Sequence, residues 1–406
     1  MLCRPAWNNI RKGDAAMDKV TISEQDRQWA ENVYRRFQEK MEWLCEKSKD
    51  KIPSMAVNGI HDDRCDDSKK WNVDDGINWW TNGFWGGMLW LMYHASGEEG
   101  YARAAQKSEE KLDACFERYY GLHHDVGFMW MPTAVADYRL TGNEASKRRG
   151  LHAANLLAGR FNPAGRFIRA WNDIPGSQDD TRGWAIIDCM FNITLLYWAY
   201  GETADPRFRQ IAMIHGDTVM DHFIRPDGSV KHIVEFDPQT GEAIRDYGGQ
   251  GYEKGSSWTR GQTWGLYGFA LSYRHTGKEE YLSAAKRIAH YFIANIPEDG
   301  LIPVDFRQPA EPVWYDDTAA AVASCGLIEI AGHVPEREQG MYLRAAVKLM
   351  RALDEKHCDW SEKSDCFLTH CSGSYHGQIH NHTLVYADFF FLEAVLKLLG
   401  KDFLIW

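Results

Sequence analysis

Apolar residues recur at three- and four-residue spacing along most of the chain, in the windows 29–44, 84–93, 102–119, 145–161, 184–200, 208–223, 263–273, 281–293, 318–330, 340–353 and 384–399. That spacing gathers them on one face of an α-helix. Each window therefore predicts a helix, and a further one over 131–140 makes about twelve. Strict alternation is scarce, and only 229–236 reads as a short strand. The helices are of two kinds, one rich in large apolar side chains and one carrying charge on one side. The first kind has to be enclosed, whereas the second can face water.

The two kinds alternate, joined by Gly-containing turns and then acids: Ser96-Gly-Glu-Glu-Gly-Tyr101, Thr141-Gly-Asn-Glu144, Gly201-Glu-Thr-Ala-Asp-Pro-Arg-Phe208 and Thr276-Gly-Lys-Glu-Glu-Tyr281. Gly stops the first helix, and the acids suit the first turn of the next. Each unit is an αα-hairpin. Six in a circle give an all-α (α/α)6 barrel with a cavity at one end. The turns step from Gly97 to Gly142, Glu202 and Gly277, intervals of 45, 60 and 75 residues, which argues against an open solenoid of fixed period. A single barrel domain is expected over 21–406, behind a polar leader over 1–20. The long loops 223–258 and 358–383 are expected to serve a site.

Composition narrows the class. With 46 basic and 57 acidic residues the net charge is −11, which disfavours nucleic acid or an acidic membrane surface as partner. No apolar run is long enough to span a bilayer, and the N-terminus lacks the apolar core of a signal peptide. Nine scattered cysteines, several in apolar helical stretches, read as reduced buried thiols, so a cytoplasmic location is expected. The excess of 17 Trp, 18 Tyr and 18 Phe points to a large core or a cleft lined with flat rings.

The candidate chemistry sits in short runs. Asp188, in Gly183-Trp-Ala-Ile-Ile-Asp-Cys-Met-Phe-Asn-Ile, lies among apolar residues that would desolvate it and let it hold a proton near neutrality, as a general acid must. Its place at a helix start pulls the other way, and a buried Asp paired with an Arg is the plainer alternative. Asp125, in Gly121-Leu-His-His-Asp-Val-Gly-Phe-Met-Trp130, is a second carboxylate or simply a cap. Gly255-Ser-Ser-Trp258-Thr-Arg260-Gly-Gln-Thr-Trp264 sets a planar cation among rings, suiting a carboxylate and sugar C–H faces, and Asn78-Trp79-Trp80-Thr-Asn-Gly-Phe-Trp85 has the same character. Helix packing explains either run equally well. The tract His357, Cys358, Cys366, His370, Cys371, His376, His380, His382 invites zinc, yet it lacks a C-x2-C spacing, so no metal is expected. His61-Asp-Asp-Arg-Cys-Asp-Asp67 reads as a solvated acidic turn. Nucleotide-binding glycine loops and a G-x-S-x-G elbow are missing from the sequence.

Taken together, Trp80-Thr-Asn-Gly-Phe-Trp85, His123-His-Asp-Val-Gly-Phe128, Ile186-Ile-Asp-Cys189, Ser257-Trp-Thr-Arg-Gly-Gln262 with Trp264-Gly, and Phe389-Phe-Phe-Leu-Glu-Ala394 resemble the unsaturated glucuronyl hydrolases, glycoside hydrolase family 88, over about residues 24–400. The resemblance implies the (α/α)6 fold, no cofactor, and a small anionic oligosaccharide as partner, one whose non-reducing end is a Δ4,5-unsaturated uronic acid. It implies Asp188 as acid/base and Asp125 as the second essential aspartate with His124 beside it. His232, Gln250 and Arg260 fall near the sugar and its carboxylate, and Trp80, Trp258 and Trp264 form aromatic walls. Trp79, Trp85 and Trp130 are then expected in or behind that wall, and Trp90, Trp184 and Trp198 in inner-helix packing.

Two departures stand out. Gly249 replaces a His that some relatives carry before Gln250. The Ser-x-x-Ser-x-Lys of members accepting sulfated fragments is here Ser374-Tyr-His-Gly-Gln-Ile379, keeping only Ser374, so sulfate is not expected to be strongly favoured unless His376, His380 or His382 substitutes. The alternatives are a related hydrolase acting on unsaturated galacturonyl-rhamnose, and a non-hydrolytic sugar-binding or epimerase-like (α/α)6 protein. Oligomeric state is left open.

Overall fold

The computed structural model describes residues 20–65, 76–119, 121–173 and 179–406. The leader expected over 1–20 lies outside them but for Val20, as do the last two residues of the acidic turn. In chain order the helices are α1 (Glu24–Ser48), α2 (Phe84–Ser96), α3 (Glu99–Lys111), the short α4 (Asp113–Arg118), α5 (Val126–Trp130) and α6 (Ala136–Thr141). They continue as α7 (Glu144–Ala158), α8 (Cys189–Asn192), α9 (Thr194–Thr203), α10 (Pro206–Phe223) and α11 (Thr259–Thr276), then α12 (Glu279–Ala294), α13 (Asp317–Ala331), α14 (Glu336–Lys356) and α15 (Val385–Leu399).

Burial sorts them into two rings. Every residue of α13 and of α15 is buried, whereas α14 buries Tyr342, Ala345, Ala346, Leu349 and Leu353 and turns its charges outward. The inner positions are α2, α5 with α6, α8 with α9, α11, α13 and α15. The outer ones are α1, α3, α7, α10, α12 and α14. Inner neighbours pack in sequence, and α15 returns to pack on both α1 and α2, closing the circle. This is the all-α barrel expected from the hairpin pattern.

Left-handed residues end α2, α6 and α11 at Gly97, Gly142 and Gly277 as expected, but the third turn differs. There the helix runs through Gly201, and Ala204 takes the left-handed position at φ 56°. The window 131–140 begins earlier, at Val126, and passes through a π-helical turn over Met131–Val135, where Pro132 has no N–H to give the ladder.

The window 184–200 is not one helix. Trp184–Ile186 forms a strand, β5, and Trp184 packs on Trp171 and Tyr247 rather than between inner helices. In chain order the strands are β1 (Ala56–Val57), β2 (Ile60–His61), β3 (Phe161–Asn162), β4 (Phe167–Ile168), β5, β6 (Ile233–Phe236) and β7 (Ala243–Tyr247). β5, β6 and β7 form an antiparallel sheet with Ile186 opposite Ile233. The expected strand at 229–236 is β6, shortened at its start. The acidic turn is not freely solvated: Asp62 accepts from the backbone N–H groups of Ser54 and Met55, and Asp63 from those of Ile52 and Cys65.

The barrel's centre is closed by Trp406. Its ring is fully enclosed, stacks on Phe390 at 5.9 Å, meets Phe84, Phe128, Phe191 and Phe389, and donates from Nε1 to Glu393 at 3.0 Å. No described helix is long and apolar enough to cross a membrane.

Candidate active site

All six inner positions begin at the same end of the barrel, at Phe84, Val126, Cys189, Thr259, Asp317 and Val385. The long helices among them therefore aim positive dipole ends at one mouth. An anion is favoured there despite the net charge of −11.

Asp188 immediately precedes α8, and its side chain keeps 14% exposure. The strand register places it: Ile186 pairs with Ile233, and the Ile187 N–H donates to the His232 carbonyl at 3.1 Å. That brings the His232 ring across the sheet to Asp188, with Nε2 3.9 Å from Oδ1. The Gln250 N–H donates to His232 Nδ1 at 3.0 Å, which assigns the imidazole proton to Nε2, facing Asp188. Burial holds His232 down at about 3, so it is neutral. Burial pushes the Asp188 carboxyl up to about 7, against the opposing pull of the Arg260 charge.

Asp125 immediately precedes α5 and is 6% exposed. Asn192 Nδ2 donates to its Oδ1 at 3.0 Å and to the Asp188 carbonyl at 3.2 Å. One side chain thus ties the two aspartates together. Burial first, and then the neighbouring Asp188 charge, push Asp125 well above the ordinary carboxylate range. His124 Nε2 and His123 Nδ1 each lie 3.4 Å from an Asp125 oxygen, and burial keeps both rings neutral. The approach of α5 to α8 needs Gly127, where a Cβ would stand 2.5 Å from Asn192 Cα.

Arg260 is 1% exposed and its fork is occupied. Nη1 binds Asp316 at 3.0 Å and donates to the Ser372 carbonyl at 3.1 Å, while Nη2 donates to the Gly373 carbonyl. The carboxylate that its guanidinium grips is therefore internal. Nε has no hydrogen-bond partner among the described residues. Gln250 Nε2 also donates to the Gly373 carbonyl, at 2.7 Å, and the Gln250 carbonyl accepts from Tyr375 N. These bonds pin the loop bearing Ser374 beside His232.

The rings divide. Trp258 lies against His232 at 4.3 Å and under Arg260 at 5.0 Å. Trp80 is half-buried, touching Phe128 and Tyr386. Trp264 is fully enclosed by Phe128, Phe191 and Phe390, so it stands behind the cleft and not in its surface. Trp85 and Trp130 are likewise enclosed.

Gly249 has φ +57°, and a Cβ there would sit 1.9 Å from His232 Nδ1. The space of any side chain at 249 is already filled by the His232 ring. In the C-terminal tract, His357 Nδ1 lies 2.6 Å from Asp317 Oδ1, and Asp317 Oδ2 accepts the His370 N–H at 2.9 Å, so that carboxylate is engaged in holding the loop.

Sequence reasoning missed Asn192, Asp316 and Tyr386. Asn192 did carry a signal, as a lone amide in an apolar run four residues after Asp188. Asp316 and Tyr386 are remote in sequence, and only the fold brings them to Arg260.

No family model matches the chain. It is 37% identical over 341 residues to the unsaturated glucuronyl hydrolase of Bacillus sp. (strain GL1), covering 82% of this chain and 89% of that protein. It is 35% identical over 334 residues to an unsaturated chondroitin disaccharide hydrolase of Streptococcus pneumoniae, covering 80% and 83%. The crystal structure of the Streptococcus agalactiae unsaturated glucuronyl hydrolase superposes with a TM-score of 0.84 at 29% identity, over 96% of this chain and 95% of that one. A mutant of that protein has been solved in complex with dGlcA-GalNAc6S (TM-score 0.78, 27% identity, 96% and 99% coverage). On this extent of shared sequence and shared barrel, the chain belongs to the unsaturated glucuronyl hydrolases, a group of glycoside hydrolases.

Proposed function

We propose that this protein removes the Δ4,5-unsaturated uronic acid from the non-reducing end of glycosaminoglycan-type oligosaccharides by hydrating its C4=C5 bond. The observation that carries this reading is the aspartate pair at the mouth of the barrel, bridged by the Asn192 amide and enclosed so that burial pushes both carboxyls up. Asp188 gives its proton to C4 of the vinyl ether. The π electrons form the new C–H bond and leave positive charge shared between C5 and the ring oxygen. Asp188, now a carboxylate, takes a proton from the water that adds to C5, which restores the acid. The product is a hemiketal that opens, rearranges and releases the remaining sugar. Attack is not at the anomeric carbon, so carboxylate spacing does not set retention or inversion here.

Asp125 as an anion offsets the charge developing at C5, with His124 beside it. His232 directs its Nε2–H at the reacting end. Trp80 offers a ring face to the sugar, with Trp258, 3% exposed between His232 and Arg260, and Trp264 supporting it from behind. Arg260 and Gln250 act through the loop they hold and, for Arg260, through its positive field and free Nε on the uronate carboxylate.

In the loop of Ser374 the later positions are Gly377 and the exposed Ile379, and the Nε2 atoms of His376 and His380 meet the Tyr252 and Tyr375 carbonyls. This supports a weak preference for sulfate. The reading also takes one catalytic domain over 21–406 and a cytoplasmic location, supported by the free thiols of Cys45, Cys189, Cys325, Cys358, Cys366 and Cys371.

The test is loss of ultraviolet absorbance on a panel of unsaturated disaccharides from chondroitin, hyaluronan, heparin, gellan and rhamnogalacturonan. Turnover of the uronyl-hexosamine members, abolished by Asp188→Asn, is expected. Full activity in that variant rules out the mechanism, and turnover of the rhamnogalacturonan member alone assigns the pectin-side activity. A large preference for 6-sulfated over unsulfated chondroitin disaccharide would sink the sulfate reading.

A further inference from the structure

Two enclosed carboxyls that share a site do not by themselves say which of them carries the proton. Only one arrangement serves the chemistry above: the acid must be Asp188 and the anion Asp125. Burial and the Asp188 charge push Asp125 up and the Arg260 charge draws Asp188 down, both against that arrangement; Asn192 is the hydrogen-bonding group that favours it. It is fully buried, and its orientation is fixed from behind, because Oδ1 accepts the Phe128 backbone N–H at 2.8 Å. A backbone N–H is only a donor, so the amide cannot flip. Nδ2 must then face Asp125 Oδ1 at 3.0 Å, and its second hydrogen goes to the Asp188 backbone carbonyl at 3.2 Å. Asp125 Oδ1 is thereby held as an acceptor, which favours the carboxylate over the acid, as does the Arg160 charge, while the neutral His123 and His124 rings stand 3.4 Å from its oxygens. Among the described residues Asp188 Oδ1 has no such donor, and His232 Nε2 stands 3.9 Å away. The donor therefore stabilises charge on one aspartate only.

We propose that Asn192 is a positioning residue that keeps Asp125 the anionic partner and so leaves the transferable proton on Asp188. This rests on the acid/base reading of the pair given above. Loss of the amide removes a charge-assisted hydrogen bond from the Asp125 carboxylate, which then takes up a proton at higher pH.

The experiment is the pH profile of kcat and kcat/KM on an unsaturated chondroitin disaccharide for the parent, Asn192→Ala, Asp125→Asn and the double variant. For Asn192→Ala, kcat is expected to fall about 10- to 100-fold, with KM within about threefold. Its acid limb should move up by about one to two pH units while the alkaline limb stays. Added to Asp125→Asn, the same change should cost almost nothing, since both act through one carboxylate. Should Asn192→Ala fail to give a cooperative melt, Asn192→Asp retains an acceptor for Phe128 N–H. It is expected to be impaired at least tenfold at pH 8, because it offers Asp125 a carboxyl in place of the amide N–H donor. An unmoved acid limb, additive losses in the double variant, or parent-like activity of Asn192→Asp at pH 8 overturns the proposal. If Asp188→Asn is inactive while the Asn192 variants behave as the parent, only this inference fails. If Asp188→Asn is fully active, the acid/base reading itself fails.

Discussion

A carboxyl that protonates carbon must carry its proton at working pH. Burial pushes Asp188 up to about 7, so on the proposed acid role the active form is the protonated one and is lost as pH rises. kcat/KM is therefore expected to hold level just below neutrality and to fall about tenfold per pH unit above about 7. A profile still flat at pH 9 would remove Asp188 from the acid role. Beside it, Gly249 is set by contact. Gly249→Ala would drive a Cβ into His232 Nδ1, displacing the ring and its bond from Gln250 N. A loss of kcat/KM on the order of 100-fold is expected, with KM moving less. The sequence made Asp188 legible as a candidate through its apolar neighbours. Its partner ring on another strand, and the reason for the glycine, appear only when β5 and β6 pair.

At the scale of elements, the hairpin rule held because it follows from local chemistry: a left-handed residue ends a helix and an acid opens the next. The exception gives a prediction. Ala204 takes φ 56° where the other turns use Gly. Ala204→Gly is expected to raise stability by about 0.5 kcal/mol, the relief of left-handed strain offsetting glycine's greater unfolded freedom. A lowered melting temperature would contradict this. The 184–200 window misled because an enclosed strand and an enclosed helix are both continuous apolar runs, and periodicity cannot separate them. The break at Asp188 brings its carboxyl to the start of α8 and beside the sheet.

Across the whole molecule, the tail unites elements that are far apart in sequence. Trp406 meets Phe84, Phe128, Phe191 and Phe390 at the barrel's centre, and Arg139 Nη1 donates to the Leu404 and Ile405 carbonyls at 2.6 Å. Trp406→Ala is expected to cost about 3–5 kcal/mol, read as a lower denaturation midpoint. A cost below about 1 kcal/mol would show that the ring is not part of the core.

The sequence by itself determined the two kinds of helix, their alternation and the closed barrel, because helix period, enclosure and turn chemistry are written locally, while the aspartates stood out only through the family resemblance. Tertiary structure alone decided the site's electrostatics. Which carboxyl faces which donor, which guanidinium is already paired, and which Trp is enclosed depend on residues brought together across the barrel. A pKa or a free hydrogen-bond donor is a property of that assembled neighbourhood, and no single segment of the chain contains it.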